Sequence, residues 1–127
     1  MSESAAFGDP LSAPFWEAAT RKQLLLQHCL TCSSYQLYPR PFCVKCMSTS
    51  LEWAPSSGRA VVYTKTVVHV PVIPQLIPPY SAAVVELEEG PRLTTNLTET
   101  DIAIGERVKL AWRERPGMPP FPIFERA

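Results

Sequence analysis

Two Cys-x-x-Cys pairs constrain this chain more than any other feature of its sequence. Cys29 and Cys32 form the first pair, Cys43 and Cys46 form the second, and ten residues separate the pairs. Each turn directs two thiolates towards one point, and a loop of this length brings the turns face to face around a tetrahedral ion, with metal–sulfur distances of roughly 2.3 Å. The spacing therefore predicts a zinc ribbon in which all four cysteines bind Zn²⁺.

A site of this kind is structural rather than catalytic, because four thiolates leave no coordination position for water or substrate. The same residues also permit two disulfides, a redox-active dithiol or an iron–thiolate centre. The sequence begins with neither a basic segment nor an apolar segment of the secretory kind, which disfavours disulfides. Ser33 and Met47 follow the pairs where glycine often eases a left-handed turn, so a slightly strained site is expected.

The composition indicates a compact unit with room for two subdomains. Twelve acidic and twelve basic residues balance, and 46% of the residues are hydrophobic. No apolar run approaches the ~20 residues of a membrane span, and 14 prolines further restrict long helices. We therefore expect a cytoplasmic protein that does not enter a membrane.

Residue patterns divide the chain into three parts. Residues 1–23 form a lead with a short helix from Pro14 to Lys22, with proline at its first position. Residues 24–54 form the ribbon, which begins with a predicted strand from Leu24 to His28 that leads to the first knuckle. Residues 55–127 form the third part, which begins with a junction rich in serine, proline and glycine.

The third part reads as β-structure. Residues of Arg59–Val70 alternate with period two and are rich in β-branched side chains. Further strands are predicted at Tyr80–Leu87, Arg92–Leu97, Glu106–Glu114 and Pro122–Glu125. Antiparallel strands with no amphipathic helix to cover them favour closure into a small barrel. The fold class is thus mainly β, with a short N-terminal helix, a ribbon and a barrel.

An apolar, proline-rich segment connects the first two barrel strands. Four prolines keep residues 70–80 extended, yet the segment carries Val72, Ile73, Leu76 and Ile77. These residues either fold back over an open end of the barrel or form a docking surface for a partner. Residues 116–122 have the same character and are assigned to the same surface.

Motifs along the chain resemble the DUF35 family. They include Leu24-Leu-Leu-Gln-His-Cys29, the paired knuckles, Val62-Tyr63-Thr64, Val85-Glu-Leu87 and Glu89-Gly90-Pro-Arg-Leu93. The knuckles recur in many families, but the hairpin that follows them is more specific. The resemblance covers about residues 14–124 and implies a rubredoxin-like zinc ribbon followed by an OB-fold.

The resemblance also implies a function. Proteins of this family associate with thiolase-like enzymes, thiolases or aldolases that act on CoA thioesters, and in some systems with hydratase-like partners. The small chain is then an accessory subunit of a hetero-oligomer with no activity alone. It helps to form the acyl-CoA channel, while the catalytic residues lie on the larger chain.

Candidate ligand residues follow from the chemistry of CoA, which joins an anionic nucleotide to a long pantetheine arm. Lys65 and Arg92 are the candidate cations, and Tyr63 and Tyr80 are their amphipathic neighbours. The chain has two histidines. One, His28, adjoins a metal ligand, and neither belongs to a recognisable catalytic motif.

Two other functions remain as alternatives. A ribbon plus OB-fold also suits a nucleic-acid-binding module, but such surfaces combine a basic groove with aromatic residues, whereas this chain is neutral. An independent acyl-CoA-binding protein is the second alternative. We therefore predict a thiolase-like partner and a CoA thioester ligand, and no nucleic acid.

Overall fold

The computed structural model describes residues 10–74 and 76–127, which hold one short helix and eight strands. In chain order the elements are α1 Ala13–Ala19, β1 Leu25–Cys29, β2 Tyr35–Gln36, β3 Leu51–Pro55, β4 Arg59–Val68, β5 Tyr80–Leu87, β6 Arg92–Leu97, β7 Arg107–Arg115 and β8 Met118–Arg126. The predicted mainly β fold class is confirmed. Within these residues, no helix has the length and apolar character needed to cross a membrane.

Helix α1 begins as its sequence predicts but ends earlier than expected. Proline occupies its first turn, where a missing N–H costs nothing. The predicted helix continued to Lys22, but this residue adopts a left-handed φ of 63° and the chain turns away. Ala18 and Ala19 are buried, and Phe15 packs against the hydrophobic core.

The ribbon contains a three-stranded antiparallel sheet with β1 at its centre. Strand β2 pairs along one edge of β1 and β3 along the other, with Gln27 opposite both Gln36 and Trp53. Because β1 ends at Cys29, this sheet fixes the start of the first knuckle. The predicted closing strand near Trp53 is β3.

The second half closes into a five-stranded barrel, as predicted. The strand order is β4-β5-β6-β8-β7, and β7 pairs back onto β4. The seam between β6 and β8 is parallel and is held by the pairing of Leu97 with Phe124. The buried Thr95 hydroxyl donates to the Pro122 carbonyl at 2.8 Å, which adds a side-chain hydrogen bond to this seam.

Strand β8 is longer than the sequence predicted. It begins at Met118 instead of Pro122, although it contains three prolines. Prolines are tolerated where a strand lacks a second continuous neighbour, and β8 forms a ladder with β7 but meets β6 at one pair. Residues 116–122 are not a loop, because Pro116 and Gly117 form the turn of the β7–β8 hairpin and Met118 begins β8. Their place in the same interface as the β4–β5 segment stays a prediction.

A β-bulge interrupts the predicted alternation of β4. The pairing with β5 shifts between Val62 and Thr64, which leaves Tyr63 as the extra residue. Ala60 and Val62 are buried before the bulge, whereas Lys65 is half-buried after it. The inward positions therefore change from even to odd numbers, and the uniform face inferred from the sequence does not extend along the strand.

Ribbon and barrel share one hydrophobic core. Leu24, Leu26 and Leu37 of the ribbon pack in the same cluster as residues of the barrel, which include Val62 and Phe124. Leu24 and Leu26 are at most 1% exposed. Because burying one leucine contributes about 1.5–3 kcal/mol, this shared core holds the two parts in a defined arrangement.

The junction between the two parts is held by Glu89 from the β5–β6 hairpin. Its carboxylate accepts a hydrogen bond from the Ser56 hydroxyl at 2.9 Å and another from the Ser57 N–H at 2.6 Å. The next residue, Gly58, has a φ of 82° and lies close to Leu110 of β7. The hairpin and the junction therefore position each other.

We predict that Gly58→Ala destabilises the protein more than Gly117→Ala. Both glycines have a positive φ, which costs an L-residue roughly 1–2 kcal/mol. A Cβ at Gly58 would also lie 3.1 Å from the Leu110 Cβ, whereas nothing lies within 4 Å at Gly117. Overpacking adds about 1–3 kcal/mol. Equal losses in chemical denaturation of the two variants would contradict this account.

Candidate metal centre and neighbouring surfaces

The four cysteine sulfur atoms form a compact cluster between the two knuckles. All four lie within 4.8 Å of one another. The Sγ atoms of Cys29 and Cys46 are 3.6 Å apart, as are those of Cys32 and Cys43. A tetrahedral ion with bonds of roughly 2.3 Å separates its ligand atoms by about 3.8 Å, so the donor set fits a single metal ion.

The two knuckles have the same backbone geometry. The N–H of Ser33 donates to the Cys29 carbonyl at 2.9 Å, and the N–H of Met47 donates to the Cys43 carbonyl at 2.8 Å. Ser33 and Met47 have φ values of 68° and 67°. The left-handed turns expected from the sequence are therefore present, each at a residue other than glycine.

Hydrogen bonds and crowding set the acidity of the thiols. The Cys46 N–H, followed by the Ser34 hydroxyl, stabilises the thiolate of Cys43 and lowers its pKa to about 6. The Ser34 hydroxyl also lowers the pKa of Cys32. At Cys46 the Ser48 N–H favours the thiolate, but burial and the neighbouring sulfurs raise the pKa to about 12. The cluster favours some thiolates and resists complete ionisation, a conflict that a bound cation resolves.

A pair of glutamines positions the second knuckle, and sequence reasoning missed it. The Gln27 Oε1 accepts hydrogen bonds from the Gln36 Nε2 at 2.7 Å and from the Arg40 N–H at 2.9 Å. The Gln36 amide in turn donates to the Phe42 carbonyl and accepts from the Val44 N–H. Glutamine is usually a surface residue, so the single sequence gave no signal for this buried role.

The two histidines lie outside the cluster. His28 stacks on Tyr35 with ring centroids 4.5 Å apart, and its Nδ1 is 2.9 Å from a carboxylate oxygen of Glu52. His69 is exposed beyond the end of β4. Neither histidine is paired with a nucleophile among the described residues.

The four candidate ligand residues do not form one site. The guanidinium of Arg92 lies over the ring of Tyr63, 3.8 Å from its centroid, and 3.7 Å from Glu86. Lys65 instead donates to the Thr100 carbonyl at 2.7 Å. Tyr80 lies at the other end of the β4–β5 ladder, opposite Val68. The structure therefore brings together only Arg92 and Tyr63.

The apolar segment before β5 is mostly exposed to solvent. The exposed fractions are 65% for Val72, 41% for Ile73 and 83% for Ile77, and Leu76 is half-buried. These residues therefore do not fold back as a plug over the barrel. The segment is not extended throughout, as its prolines had suggested, because the Leu76 N–H donates to the Ile73 carbonyl at 3.3 Å in a turn. The four residues form a largely exposed apolar surface, called the β4–β5 loop surface below.

The ribbon and barrel define a metal-binding ribbon and OB-fold protein, and two family models match the corresponding parts. Residues 16–52 match the ChsH2 rubredoxin-like zinc ribbon domain, and residues 53–113 match the ChsH2 C-terminal OB-fold domain. A chain of the solved structure titled Ltp2-ChsH2(DUF35) aldolase superposes with a TM-score of 0.85 at 34% identity. That match covers 94% of this chain and 96% of the other. This chain belongs to the DUF35 family.

Curated relatives include both enzyme subunits and scaffold proteins. A probable enoyl-CoA hydratase alpha subunit of Thermomonospora curvata is 38% identical over 89% of this chain. A DUF35 domain-containing scaffold protein of Methanocaldococcus jannaschii is 37% identical over 67% of this chain. The chain spans 37% of the length of the first relative and 64% of the second.

We predict that the purified protein contains about one zinc ion per chain and that Cys29→Ser or Cys43→Ser removes it. Since metal binding and folding are coupled, loss of a ligand costs on the order of 3–5 kcal/mol of stability. Elemental analysis and thermal unfolding measure the two effects. Thr31→Ser is the control within the same knuckle, because it keeps the hydroxyl that lies 2.8 Å from the Ser48 hydroxyl. Metal-free protein with two disulfides would contradict the prediction.

Proposed function

We propose that this chain is a zinc-binding, non-catalytic subunit of a thiolase-like enzyme, a thiolase or aldolase, that acts on CoA thioesters. The observation that carries this proposal is the match to the DUF35 chain of the solved aldolase, which extends over 96% of that chain at 34% identity. The chain would stabilise a hetero-oligomer and line part of the acyl-CoA channel.

The side-chain inventory supports a role without catalysis. All cysteines of the sequence lie in the knuckles, where metal binding occupies the thiolates that a nucleophile would need. His28 is engaged with Glu52 and Tyr35, and His69 is solvent-exposed. A catalytic nucleophile and base would then come from the larger chain.

Zinc suits the proposed structural role. The cluster offers four sulfur ligands and leaves no open position. The bound ion would cross-link the two knuckles and neutralise the crowded thiolates. Gln27 and Gln36 would hold the second knuckle in place for it, through the hydrogen bonds described above.

Arg92 is the cation best placed to meet the anionic end of a CoA thioester. Its side chain is 52% exposed, and its only ion pair in the described chain joins it to Glu86, which is also exposed. Such surface pairs contribute about 0–1 kcal/mol, so a phosphate can replace the carboxylate. Tyr63 supports the guanidinium through its ring face. Lys65 and Tyr80 would contact the CoA thioester at positions away from the Arg92–Tyr63 pair.

The β4–β5 loop surface is the proposed contact with the larger subunit. Val72 and Ile77 present apolar side chains to solvent, an arrangement that burial against a partner would stabilise. The prolines of the segment restrict its backbone and so reduce the entropy lost on docking.

A hydratase-like partner is the second candidate, and the Thermomonospora curvata relative favours it. The alignment with that relative includes 89% of this chain. Both candidates share a CoA thioester substrate and differ in the reaction of the partner. Assays for carbon–carbon bond cleavage and for double-bond hydration therefore distinguish them.

The charge distribution does not favour a nucleic-acid-binding role. Arg59 pairs with Glu88, Lys109 with Glu125, and Arg126 lies among Glu99, Asp101 and Glu106. A barrel that binds single strands combines a groove of net positive charge with aromatic residues. These carboxylates reduce the positive potential of the barrel surface, and the chain as a whole has no net charge, so its attraction for a long phosphate backbone is weak.

We predict that the isolated chain shows no turnover on CoA thioesters and that a thiolase-like partner is active only together with it. The reason is that the catalytic groups are proposed to lie on the partner, whereas this chain supplies only structural support and part of the binding channel. Steady-state kinetics of each chain and of the mixture measure this dependence. Turnover by the isolated chain at the rate of the mixture would contradict the proposal.

We predict that Ile77→Asp weakens assembly by roughly tenfold or more, because burying an unpaired carboxylate costs several kcal/mol. Ile104→Asp is the matched control, since Ile104 is 60% exposed outside this surface.

We predict that Arg92→Ala instead raises KM for the CoA thioester and leaves assembly unchanged. Pull-down with the partner and kinetics over a range of substrate concentrations separate these effects. Normal assembly of Ile77→Asp would remove the loop from the interface.

A further inference from the structure

An apolar cavity lies where α1 and the ribbon meet the outside of the barrel. Its volume is about 260 Å³, which is room for roughly eight or nine water-sized groups of about 30 Å³ each. The cavity is lined mainly by carbon, and its aromatic walls come from three parts of the fold. These side chains are Phe15 and Trp16 of α1, Tyr38 of the ribbon and Phe121 of β8.

Two arginines of β7 lie against the walls of this cavity. The guanidinium of Arg113 is 5.0 Å from the ring centroid of Phe121, and that of Arg115 is 5.4 Å from the same centroid. Arg115 also lies 5.4 Å from the ring centroid of Trp16. Both cations therefore contact rings that line the cavity, although neither arginine lines the cavity itself.

The hydrogen-bonding capacity of these arginines is only partly used. Arg113 donates from Nη1 to the Asn96 Oδ1 at 3.0 Å, and Arg115 donates from Nε to the Pro119 carbonyl at 2.8 Å. The Arg113 Nε and the Arg115 Nη2 are buried without any hydrogen-bond partner. Buried donors without a partner are rare in native structures, and each requires an explanation.

The two positive charges also lack a counter-charge. Among the described residues, neither Arg113 nor Arg115 forms an ion pair with a carboxylate, whereas Arg59, Arg92 and Arg126 each do. Burial lowers the pKa of both groups, and the charge of Arg113 lowers that of Arg115 further. Holding two like charges together in a partly buried place is unfavourable unless an anion joins them.

We propose that Arg113 and Arg115, with the adjacent aromatic cavity, form a binding site for a small amphipathic carboxylate. The apolar body of the ligand enters the cavity between Trp16 and Phe121, and its carboxylate accepts hydrogen bonds from the two guanidinium groups. Because neither arginine lines the cavity, binding requires their side chains to turn past the Phe121 and Trp16 rings and bring the unsatisfied donors to the ligand.

This ligand differs in kind from the CoA thioester of the proposed function. A thioester has no charge at its acyl end, and its phosphates are separated from the acyl group by the pantetheine arm. The proposed site requires an anion directly attached to a body of about eight carbons, as its cavity volume and the adjacent arginines indicate. A test of this site therefore neither supports nor contradicts the proposed function.

Titration of the zinc-loaded protein with octanoate tests the site, with octanol and octyltrimethylammonium as neutral and cationic analogues. Binding is followed by the indole N–H signal of Trp16 in two-dimensional nuclear magnetic resonance, and Trp53 of the ribbon sheet serves as an internal reference. We expect saturable shifts at Trp16 with octanoate. Octanol should bind at least roughly tenfold more weakly, because it cannot form charge-assisted hydrogen bonds, and the cation should not bind.

The double variant Arg113→Gln/Arg115→Gln should lose the preference for octanoate over octanol, to within roughly twofold, and should keep the weak binding of octanol. Arg107→Gln on the same strand is the control, since this exposed arginine is remote from the cavity wall, and it should keep the full preference. If the double variant does not fold, Arg115→Lys replaces it, because one point charge cannot reproduce the fork of donors. Equal affinity of the native protein for octanoate and octanol, or shifts centred on Trp53, would overturn the proposal.

Discussion

The close approach of four sulfur atoms is the constraint on which the ribbon depends. The sulfurs lie within 4.8 Å of one another; the Cys46 N–H lowers the pKa of Cys43, whereas at Cys46 the Ser48 N–H is outweighed by burial and the neighbouring sulfurs, which raise the pKa. A divalent cation removes this conflict and converts four repelling groups into a cross-link. The ribbon sheet ends at this cluster, because β1 ends at Cys29. Metal binding at this cluster would therefore set the geometry of the two knuckles.

The shared core carries that constraint into the barrel. Leu24 and Leu26 belong to the strand region that leads to the first knuckle, and they pack with Val62 and Phe124 of the barrel. Glu89 adds a polar contact, since its carboxylate binds the junction just after the ribbon sheet. A ribbon loosened by metal loss would thus disturb both the core and the junction. This coupling explains why a structural metal matters for surfaces that lie on the barrel.

Local patterns predicted the features that depend on local chemistry. The Cys-x-x-Cys spacing predicted the sulfur cluster, and the glycine at position 90 predicted the hairpin that the structure contains. The bulge at Tyr63 was missed because it arises from pairing with β5, which no short window of sequence reveals. That bulge separates Lys65 from the Arg92–Tyr63 pair.

Other misses have the same origin in tertiary context. The length of β8 was underestimated because prolines usually interrupt a strand. Pairing with β7 nevertheless provides backbone hydrogen bonds along most of β8. No sequence pattern singled out Gln27 and Gln36, although their amides hold the second knuckle. No pattern singled out Arg113 and Arg115 either, and their guanidinium groups lie against Phe121 of β8 and Trp16 of α1. In each case a distant element decides what the residue contacts.

The arrangement separates structural work from recognition. Four sulfur ligands would leave a bound metal no position for substrate, so the ribbon contributes geometry. The β4–β5 loop surface leaves the barrel after β4, and the Arg92–Tyr63 pair lies towards the opposite end of the β4–β5 ladder. The aromatic cavity lies elsewhere again, beneath α1. Because these surfaces rest on one core but share no side chains, substitution at each can be interpreted separately, provided that the metal and core remain intact.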